Sequence, residues 1–167
     1  SFNIQTRYYN KLNKDLVEKL SVNRIDTIKK AAVLIDNYDN TIFKIKREKN
    51  QAEPPMIEIE LKDEITCRQI AIASQANLTD KVEFTYKVKS KNKWQDVVIN
   101  NQSFKTGTTS FDIPELKLKS LRIVFPLLDA VNSMDLGEIK LNMIGSAEPS
   151  DYVHYQTGEL KLTTDSM

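Results

Sequence analysis

From residue 56 onward, apolar and polar side chains alternate along the chain with a period of two. Ile57, Ile59 and Leu61 are separated by glutamates, and residues 82–88 alternate apolar with charged or hydroxyl-bearing side chains. This alternation is typical of strands with one buried and one exposed face. Short strands with no long helix between them predict a mainly β protein, an antiparallel two-sheet sandwich. Further strands are predicted at 67–73, 94–100, 110–113, 121–125 and 138–143, where short apolar runs are bounded by polar, Gly or Pro residues.

The N-terminal part of the chain follows other patterns. Residues 1–9 alternate apolar and polar side chains, which predicts a strand. Asn10 is suited to cap the N-terminus of a helix. After it, residues 12–20 carry three leucines and a valine at helical spacing, which predicts a short amphipathic helix. A further helical turn or two is predicted through residues 25–32, with Asp26 near its start. We expect the apolar stripe to pack on its own domain, with docking against a neighbouring chain as the alternative.

Two other segments have compositions typical of loops and turns. The segment 44–55 is charged and ends in two prolines, so it is the most loop-like part of the chain. In the tail, residues 152–156 and 160–162 flank a turn at Thr157 and Gly158 and predict a terminal hairpin.

Composition and charge fit one compact domain. The chain has 167 residues, of which 40% are hydrophobic and 28% charged, enough for a sizeable core. Its formal net charge of +1 disfavours a protein built to neutralise phosphates, so we expect no nucleic-acid partner. The uncharged apolar stretches are too short for a membrane span, and the first ten residues lack the apolar centre of a signal peptide. Lysines at 81, 87, 89, 91 and 93 are expected to protect exposed strand edges.

The chain has few residues that could carry catalysis. Cys67 is the only cysteine and His154 the only histidine, so neither an internal disulfide nor a standard structural zinc site can be assembled. Cys67 is expected to be a small buried side chain, and His154 a surface residue of the tail. No Gly-rich phosphate loop or nucleophile elbow occurs. We therefore expect no enzymatic activity and no cofactor, except that carboxylates could hold a calcium ion.

Large side chains at alternating strand positions are expected to fill the interior. Phe84, Trp94 and Phe125 stand where the predicted strands point inward, so Trp94 is expected to be buried between the sheets. Glu58 and Glu60 share the opposite, solvent-facing side of their strand. Because side chains fill the interior, binding is expected on a shallow rim of loops and not in a deep pocket.

Four segments match the motifs of one fold in order and spacing. AAVLIDNYDNTIFKI at 31–45 resembles the opening "liDgd..T.W", and PMIEIEL at 55–61 resembles "p.wi.idLg". VEFTYKVKSKNKWQDV at 82–97 is similar to "y.v..S.dg..W..v". LKSLRIVFP at 118–126, with LGEIKLNMI at 136–144, is similar to the ending "aryvRl.......l.ei.v". The chain thus resembles the galactose-binding-like or discoidin jelly roll, the fold of coagulation-factor C-type domains and many carbohydrate-binding modules.

The resemblance covers residues 27–145 and implies a jelly-roll β-sandwich of about eight strands with a short N-terminal helical segment. Residues 1–26 would form an N-terminal strand and helix extension, and residues 146–167 a C-terminal tail or hairpin. The sequence departs from the family at two points. The cysteine pair that closes vertebrate discoidin domains is absent, which disfavours that extracellular subclass. Asn37 stands where the family has the Gly of an Asp-Gly turn, and Asn tolerates the left-handed conformation that such a turn needs.

The resemblance implies a non-catalytic recognition module, within a larger protein, that binds carbohydrate or a cell surface and serves adhesion. Its partner would be a glycan or a protein, bound by loops at one end of the sandwich. The candidate ligand-binding residues on these loops are Tyr38, Arg47, Asn77 and Asn132. Tyr38 is the clearest loop aromatic among them.

The alternative is a structural or assembly module of a multi-subunit particle such as a phage tail or baseplate. Loop aromatics are scarce, and extra segments at both ends could join neighbouring subunits through the N-terminal helix and the tail. Both functions favour an extracellular or virion-associated location.

A calcium ion is also implied by the resemblance, because in the family a cation often joins the opening turn to the last strand. The matching positions are Asp36, Asp39, Thr41 and Glu138. Two or three carboxylates with backbone carbonyls suit a hard cation. The alternative is that Asp36 and Asp39 only cap the turn by accepting hydrogen bonds from nearby backbone amides.

Overall fold

The computed structural model of the protein describes residues 5–38, 40–76, 81–99, 106–128 and 133–146. Within these ranges the chain forms nine strands, one short α-helix and one 3₁₀ turn, which confirms the predicted mainly β architecture. The strands are β1 (Gln5–Lys11), β2 (Val17–Val22), β3 (Ile25–Asp26), β4 (Phe43–Ile45), β5 (Met56–Ala76), β6 (Glu83–Lys87), β7 (Gln95–Asp96), β8 (Gly107–Val124) and β9 (Met134–Ser146); helix α1 is Ile28–Ala31 and the 3₁₀ turn is Ala32–Ile35.

Two long strands, β5 and β8, organise the sandwich. The strand pairs described are antiparallel, and β5 and β8 pair with each other along most of their length. The first half of β5 also pairs with β2, and its second half pairs with β9. Beyond β8 lie β6 and β7, and beyond β9 lie β1 and β4. One layer therefore contains β2, β6, β7, the first half of β5 and the second half of β8, and the other contains β1, β4, β9, the second half of β5 and the first half of β8.

The change of layer coincides with breaks in the strand pairing. The register between β5 and β8 shifts between Glu60 and Ile65 and again between Cys67 and Gln69. Extra residues in one strand bend it and increase its twist. The long strands can therefore continue from one layer into the other, and the layers enclose a common core.

A single apolar core fills the space between the layers. It includes Ile59 from the first half of β5 and Ile72 from the second half, both buried. Phe84 of β6 and Phe111 of β8 meet edge to face, with ring centroids 5.2 Å apart and planes inclined at 68°. Phe125 is fully buried as well. The predicted inward positions Phe84 and Phe125 are confirmed.

The N-terminal helix predicted over residues 12–20 is wrong. Val17–Val22 forms β2, which pairs with β5. The register of this pair shifts between Val17 and Lys19, so β2 contains one extra residue there. The extra residue places Val17 and Leu20, three positions apart, on the same buried face. The helix-like spacing of apolar residues is therefore the mark of a β-bulge.

The other predictions at the N-terminus are confirmed in part. The strand predicted in residues 1–9 is present as β1 in the part that the structure describes. The helical turns predicted through residues 25–32 are present from Ile28 onward, as α1 and the 3₁₀ turn, whereas Ile25–Asp26 forms the short strand β3. Near the start of α1, the Asp26 carboxylate accepts a hydrogen bond of 3.3 Å from the backbone N–H of Ile28. None of the helices in the described ranges has the length and apolar character needed to cross a membrane.

Several predicted strands are continuous in the structure. The patterns at 56–61 and 67–73 are two parts of β5, and those at 110–113 and 121–125 are two parts of β8. The pattern at 138–143 lies within β9. In the described part of 94–100, only Gln95–Asp96 is a strand. The tail hairpin predicted at 152–162 lies outside the described residues.

Candidate functional site

The turn after the 3₁₀ helix, residues 36–41, is held by hydrogen bonds from its own side chains. One Asp36 carboxylate oxygen accepts a hydrogen bond of 2.9 Å from the backbone N–H of Tyr38. The Thr41 hydroxyl lies 2.8 Å from the other Asp36 oxygen and 2.9 Å from the Tyr38 carbonyl oxygen. Asn37 has a φ of 71°, the left-handed conformation predicted for it. The backbone is therefore fixed on both sides of Tyr38, whose side chain is 67% exposed.

Glu138 of β9 lies next to this turn with its carboxylate fully buried. Its side chain is 0% exposed, and neither carboxylate oxygen makes a hydrogen bond of normal geometry with the described residues, although the Asp36 carboxyl and the Asn37 backbone N–H are close enough to influence its pKa. Burial, and then the neighbouring Asp36 carboxyl, raise the pKa of Glu138 to about 8. Two adjacent carboxylates in a buried place are stable only if a proton or a cation compensates the second charge.

The predicted calcium residues are thus brought together as far as the structure describes them. Asp36, Thr41 and Glu138 meet, while Asp39 lies outside the described residues. No group of three or more acidic, His or Cys side chains converges among the described residues. The two carboxylates, the Thr41 hydroxyl and the Tyr38 carbonyl still form a set of oxygens that fits a hard cation. The unpartnered Glu138 carboxylate is the observation that favours this fit.

The predicted ligand-binding residues are described only in part. Arg47 is half-buried, and its guanidinium donates hydrogen bonds to the carbonyl oxygens of Gln51 (2.9 Å) and Ala52, within its own loop. Arg47 therefore shapes the loop that leads into β5. Asn77 and Asn132 lie outside the described residues. Of the two predicted residues that are described, Tyr38 is the one presented to solvent.

A groove of about 590 Å³ crosses the outer face of the layer that contains β2, β5, β8, β6 and β7. Its floor is formed by side chains that the strand register places side by side. Lys19 of β2 lies opposite Glu60 of β5, and Glu60 lies opposite Ser120 of β8. Ser120 in turn lies opposite Lys87 of β6. We call this surface the sheet-face groove. It consists of this row of side chains and the residues around it: Ser21, Arg24, Glu58, Lys89, Lys91, Asn92, Trp94 and Lys119.

The same register explains why these side chains point away from the core. Leu20, Ile59 and Leu121 form the adjacent row on the same three strands, and all three are buried. Because successive residues of a strand point to opposite faces, the next row must face outward. The prediction that Glu58 and Glu60 lie on the outer face of their strand is confirmed.

Trp94 is not buried between the sheets, and that prediction is wrong. It lies just before β7 at the sheet-face groove, half-buried and outside the apolar core. The guanidinium carbon of Arg122 is 4.0 Å and the ammonium of Lys87 4.6 Å from its ring centroid. Arg122 also forms an ion pair of 3.0 Å with Glu58. Cations are attracted to the π face of an indole, so Trp94 positions two cationic side chains beside the groove.

The sheet-face groove is strongly cationic. Six of its lining side chains are Lys or Arg and two are Glu, although the whole chain carries a formal net charge of only +1. Some of this charge is already engaged by the protein. Lys119 donates hydrogen bonds to the carbonyl oxygens of Leu61 and Lys62, the latter at 2.7 Å. Arg24 forms an ion pair of 2.6 Å with Glu53.

The sheet-face groove was not predicted from the sequence. Lysines 87, 89 and 91 were predicted to lie on exposed strand edges and to protect them. The repeat of lysine at every second position is the signal that could have indicated a cationic face. The alignment of these lysines with Lys19 and the two glutamates depends on three strand registers, which the local pattern does not contain.

Cys67 has none of the properties of a catalytic nucleophile. The side chain is fully buried, as predicted, and burial raises the pKa of its thiol to about 11. The thiol therefore stays protonated at neutral pH, and the thiolate is the reactive form. His154 lies outside the described residues.

Comparison with known proteins finds similarity in structure but not in sequence. No protein-family model matches the chain, and no curated protein matches it as a relative. The solved structure of CBM32-6 from Clostridium perfringens is similar over 74% of this chain and 93% of its own length, with a TM-score of 0.55 and 21% identity. The C-terminal domain of a chitobiase from Bacteroides fragilis is similar over 84% of this chain and 100% of its own, with a TM-score of 0.60 and 14% identity.

A third solved structure contains a sugar. CBM32-5 from Clostridium perfringens, in complex with GalNAc-β-1,3-galactose, is similar over 82% of this chain and 94% of its own length, with a TM-score of 0.53 and 17% identity. The similarity in each case covers most of this chain and nearly all of the matched chain.

Proposed function

We propose that this chain, which has the galactose-binding-like jelly-roll fold of the CBM32 modules, is a non-catalytic carbohydrate-binding module of a larger protein. The observation that carries the proposal is the exposed ring of Tyr38 on a turn that side-chain hydrogen bonds hold rigid. A rigid aromatic side chain loses little conformational entropy on binding. The sugar bound to one of the matched modules supports a glycan as the ligand class. The assembly alternative gains no support from these similarities.

The proposed sugar surface is the rim of loops around the 36–41 turn. Tyr38 supplies the ring on which a sugar stacks, and Arg47 holds the loop after β4 in shape through Gln51 and Ala52. Asn77 and Asn132 are proposed as hydrogen-bonding partners of sugar hydroxyls, because amide side chains both donate and accept. One stacking ring leaves a small net affinity after the cost of immobilising the ligand, so several copies are needed for tight attachment.

Tyr38→Ala tests this proposal. We expect a multimerised form of the module to bind a defined glycan on an array, and the substitution to weaken that binding by roughly tenfold or more. The melting temperature should stay unchanged, because the ring is exposed. Val98→Ala, which truncates another highly exposed side chain, is the matched control and should bind as the wild type does. Equal binding by wild type and Tyr38→Ala would exclude Tyr38 from the site.

We further propose that a calcium ion joins the opening turn to β9 through the carboxylates of Asp36 and Glu138. The support is the buried Glu138 carboxylate without a hydrogen-bond partner, beside a second carboxylate and the Thr41 hydroxyl. A bound cation would compensate both negative charges and lower the pKa of Glu138. Asp39 is proposed as a third carboxylate ligand from its place in the motif.

Calcium should stabilise the wild type and leave Glu138→Gln unaffected. At a calcium concentration 100 times the Kd, linkage gives about 2.7 kcal/mol, a rise of roughly 5–10 °C in the Tm of a domain of this size. Calorimetry of both proteins, in chelator and in millimolar calcium, measures the effect. A wild-type Tm that responds to neither condition would indicate that Asp36 only caps the turn.

A further inference from the structure

We infer that the sheet-face groove is a second binding site, and that its ligand is an acidic saccharide chain bearing carboxylate or sulfate groups. The groove is formed by the outer face of β2, β5, β8 and β6 and the turn after β6, whereas the proposed rim site is formed by the 36–41 turn. The inference stands on the charge, chemistry and shape of this groove and does not depend on the rim site.

Three cations of the groove are available to a ligand. The side chains of Lys19, Lys89 and Lys91 are exposed, and their ammonium groups form no ion pair or hydrogen bond with any residue that the structure describes. Like charges gathered in one cleft repel each other, and a cleft lined by one sign of charge focuses the potential that attracts the opposite sign. Since the net charge of the chain is only +1, this potential is local to the groove.

The floor of the groove favours a saccharide over a nucleic acid. Glu60, Ser120 and Ser21 present carboxylate and hydroxyl oxygens between the cations. Sugar hydroxyls can donate hydrogen bonds to these oxygens, while the phosphodiester backbone of a nucleic acid carries only acceptors. Asn92 adds an amide that both donates and accepts, and its carbonyl oxygen already accepts from Lys87 at 3.0 Å.

The shape of the groove suits a chain. It crosses four neighbouring strands, β2, β5, β8 and β6, and reaches Trp94 at the start of β7. Neighbouring strands are about 4.8 Å apart, so the three intervals from β2 to β6 span roughly 14 Å. The free lysines lie on β2 at one side and on the turn after β6 at the other. A ligand that reaches both groups must be extended and must carry more than one anionic group.

The test compares a groove variant with a charge-matched control. The groove variant carries Lys19→Ser, Lys89→Ser and Lys91→Ser, and the control carries Lys29→Ser, Lys30→Ser and Lys14→Ser, three exposed lysines outside the groove. The probes are heparin, polygalacturonate, a neutral galactan and single-stranded DNA, each titrated at 50 and 200 mM salt. Trp94, the only tryptophan, borders the groove and reports binding by its fluorescence.

We expect heparin or polygalacturonate to bind saturably to the wild type and the control, with a change in Trp94 emission. The groove variant should lose about tenfold or more in affinity at low salt and show a weaker salt dependence. Preference for heparin assigns sulfate as the recognised group, and preference for polygalacturonate assigns carboxylate. The inference is overturned if neither polyanion binds, if the control loses as much as the groove variant, if the neutral galactan causes the same Trp94 response, or if DNA binds more tightly than both.

Discussion

Replacing Phe84 by Ala should destabilise the folded protein by about 3–5 kcal/mol. The ring is 2% exposed and meets Phe111 edge to face at the centre of the core. Truncation removes its buried apolar surface, leaves a cavity and breaks the aromatic pair. Chemical denaturation at equilibrium, followed by far-ultraviolet circular dichroism, measures the free energy of unfolding.

Two further variants separate this effect from a general response to substitution. Phe84→Leu keeps most of the apolar volume, and its cost should be smaller than that of Phe84→Ala. Val98→Ala removes methyl groups from a side chain that is 74% exposed, so its effect should lie within about 0.5 kcal/mol of zero. A cost below 1 kcal/mol for Phe84→Ala would contradict the packing described for the interior.

In the presence of chelator, the free energy of unfolding should fall as the pH rises from about 5 to about 8. Burial and Asp36 raise the pKa of Glu138 from 4.5 to about 8 in the folded protein, while the unfolded chain titrates near the ordinary value. Between these two values the folded protein keeps a proton that the unfolded chain has lost, so a higher pH favours unfolding. The stabilisation is fully present below about pH 4.5 and is lost as the pH passes through 8, a total on the order of 5 kcal/mol.

Glu138→Gln should abolish this slope, because the amide is neutral at every pH in the range and has almost the same shape. At pH 8 the variant should therefore be more stable than the metal-free wild type. Glu115→Gln, at an exposed position of β8, is the control and should keep the wild-type slope. Parallel pH profiles for wild type and Glu138→Gln would show that Glu138 ionises normally in the folded state.

Local alternation was enough to predict which residues face the core in most strands. Ile57, Ile59, Val82 and Phe84 are all buried, as the period of two requires. The bulge in β2 shows where this reasoning fails. One inserted residue converts an alternating pattern into spacings of three, and the sequence carries no separate mark of the insertion. Joining two short patterns into one long strand likewise depends on pairing with β8, which is not a local property.

Trp94 was misplaced for a related reason. The strand predicted at 94–100 placed it inward, but β6 and β7 pair so that Tyr86 lies opposite Gln95. Continuing this register by one residue puts Trp94 beside Lys87, and side chains opposite each other on paired strands share a face. The acidic cluster was predicted better, because Asp36, Thr41 and Glu138 belong to motifs whose order implied that they meet. The sheet-face groove had no such motif.

The pairing of the first described strand with the last has a consequence for how the protein is made. Gln5 of β1 lies opposite Ser146 of β9, so this ladder closes a loop of nearly the whole described chain. During synthesis β1 leaves the ribosome long before its partner β9 has been made. The second half of β5 likewise cannot pair with β9 until then. Strand edges left open in a nascent chain are sites of aggregation. Completion of the sandwich is thus a late event, on the millisecond to second scale typical of such topologies, and the edge of β5 that pairs with β9 stays open until β9 has been made.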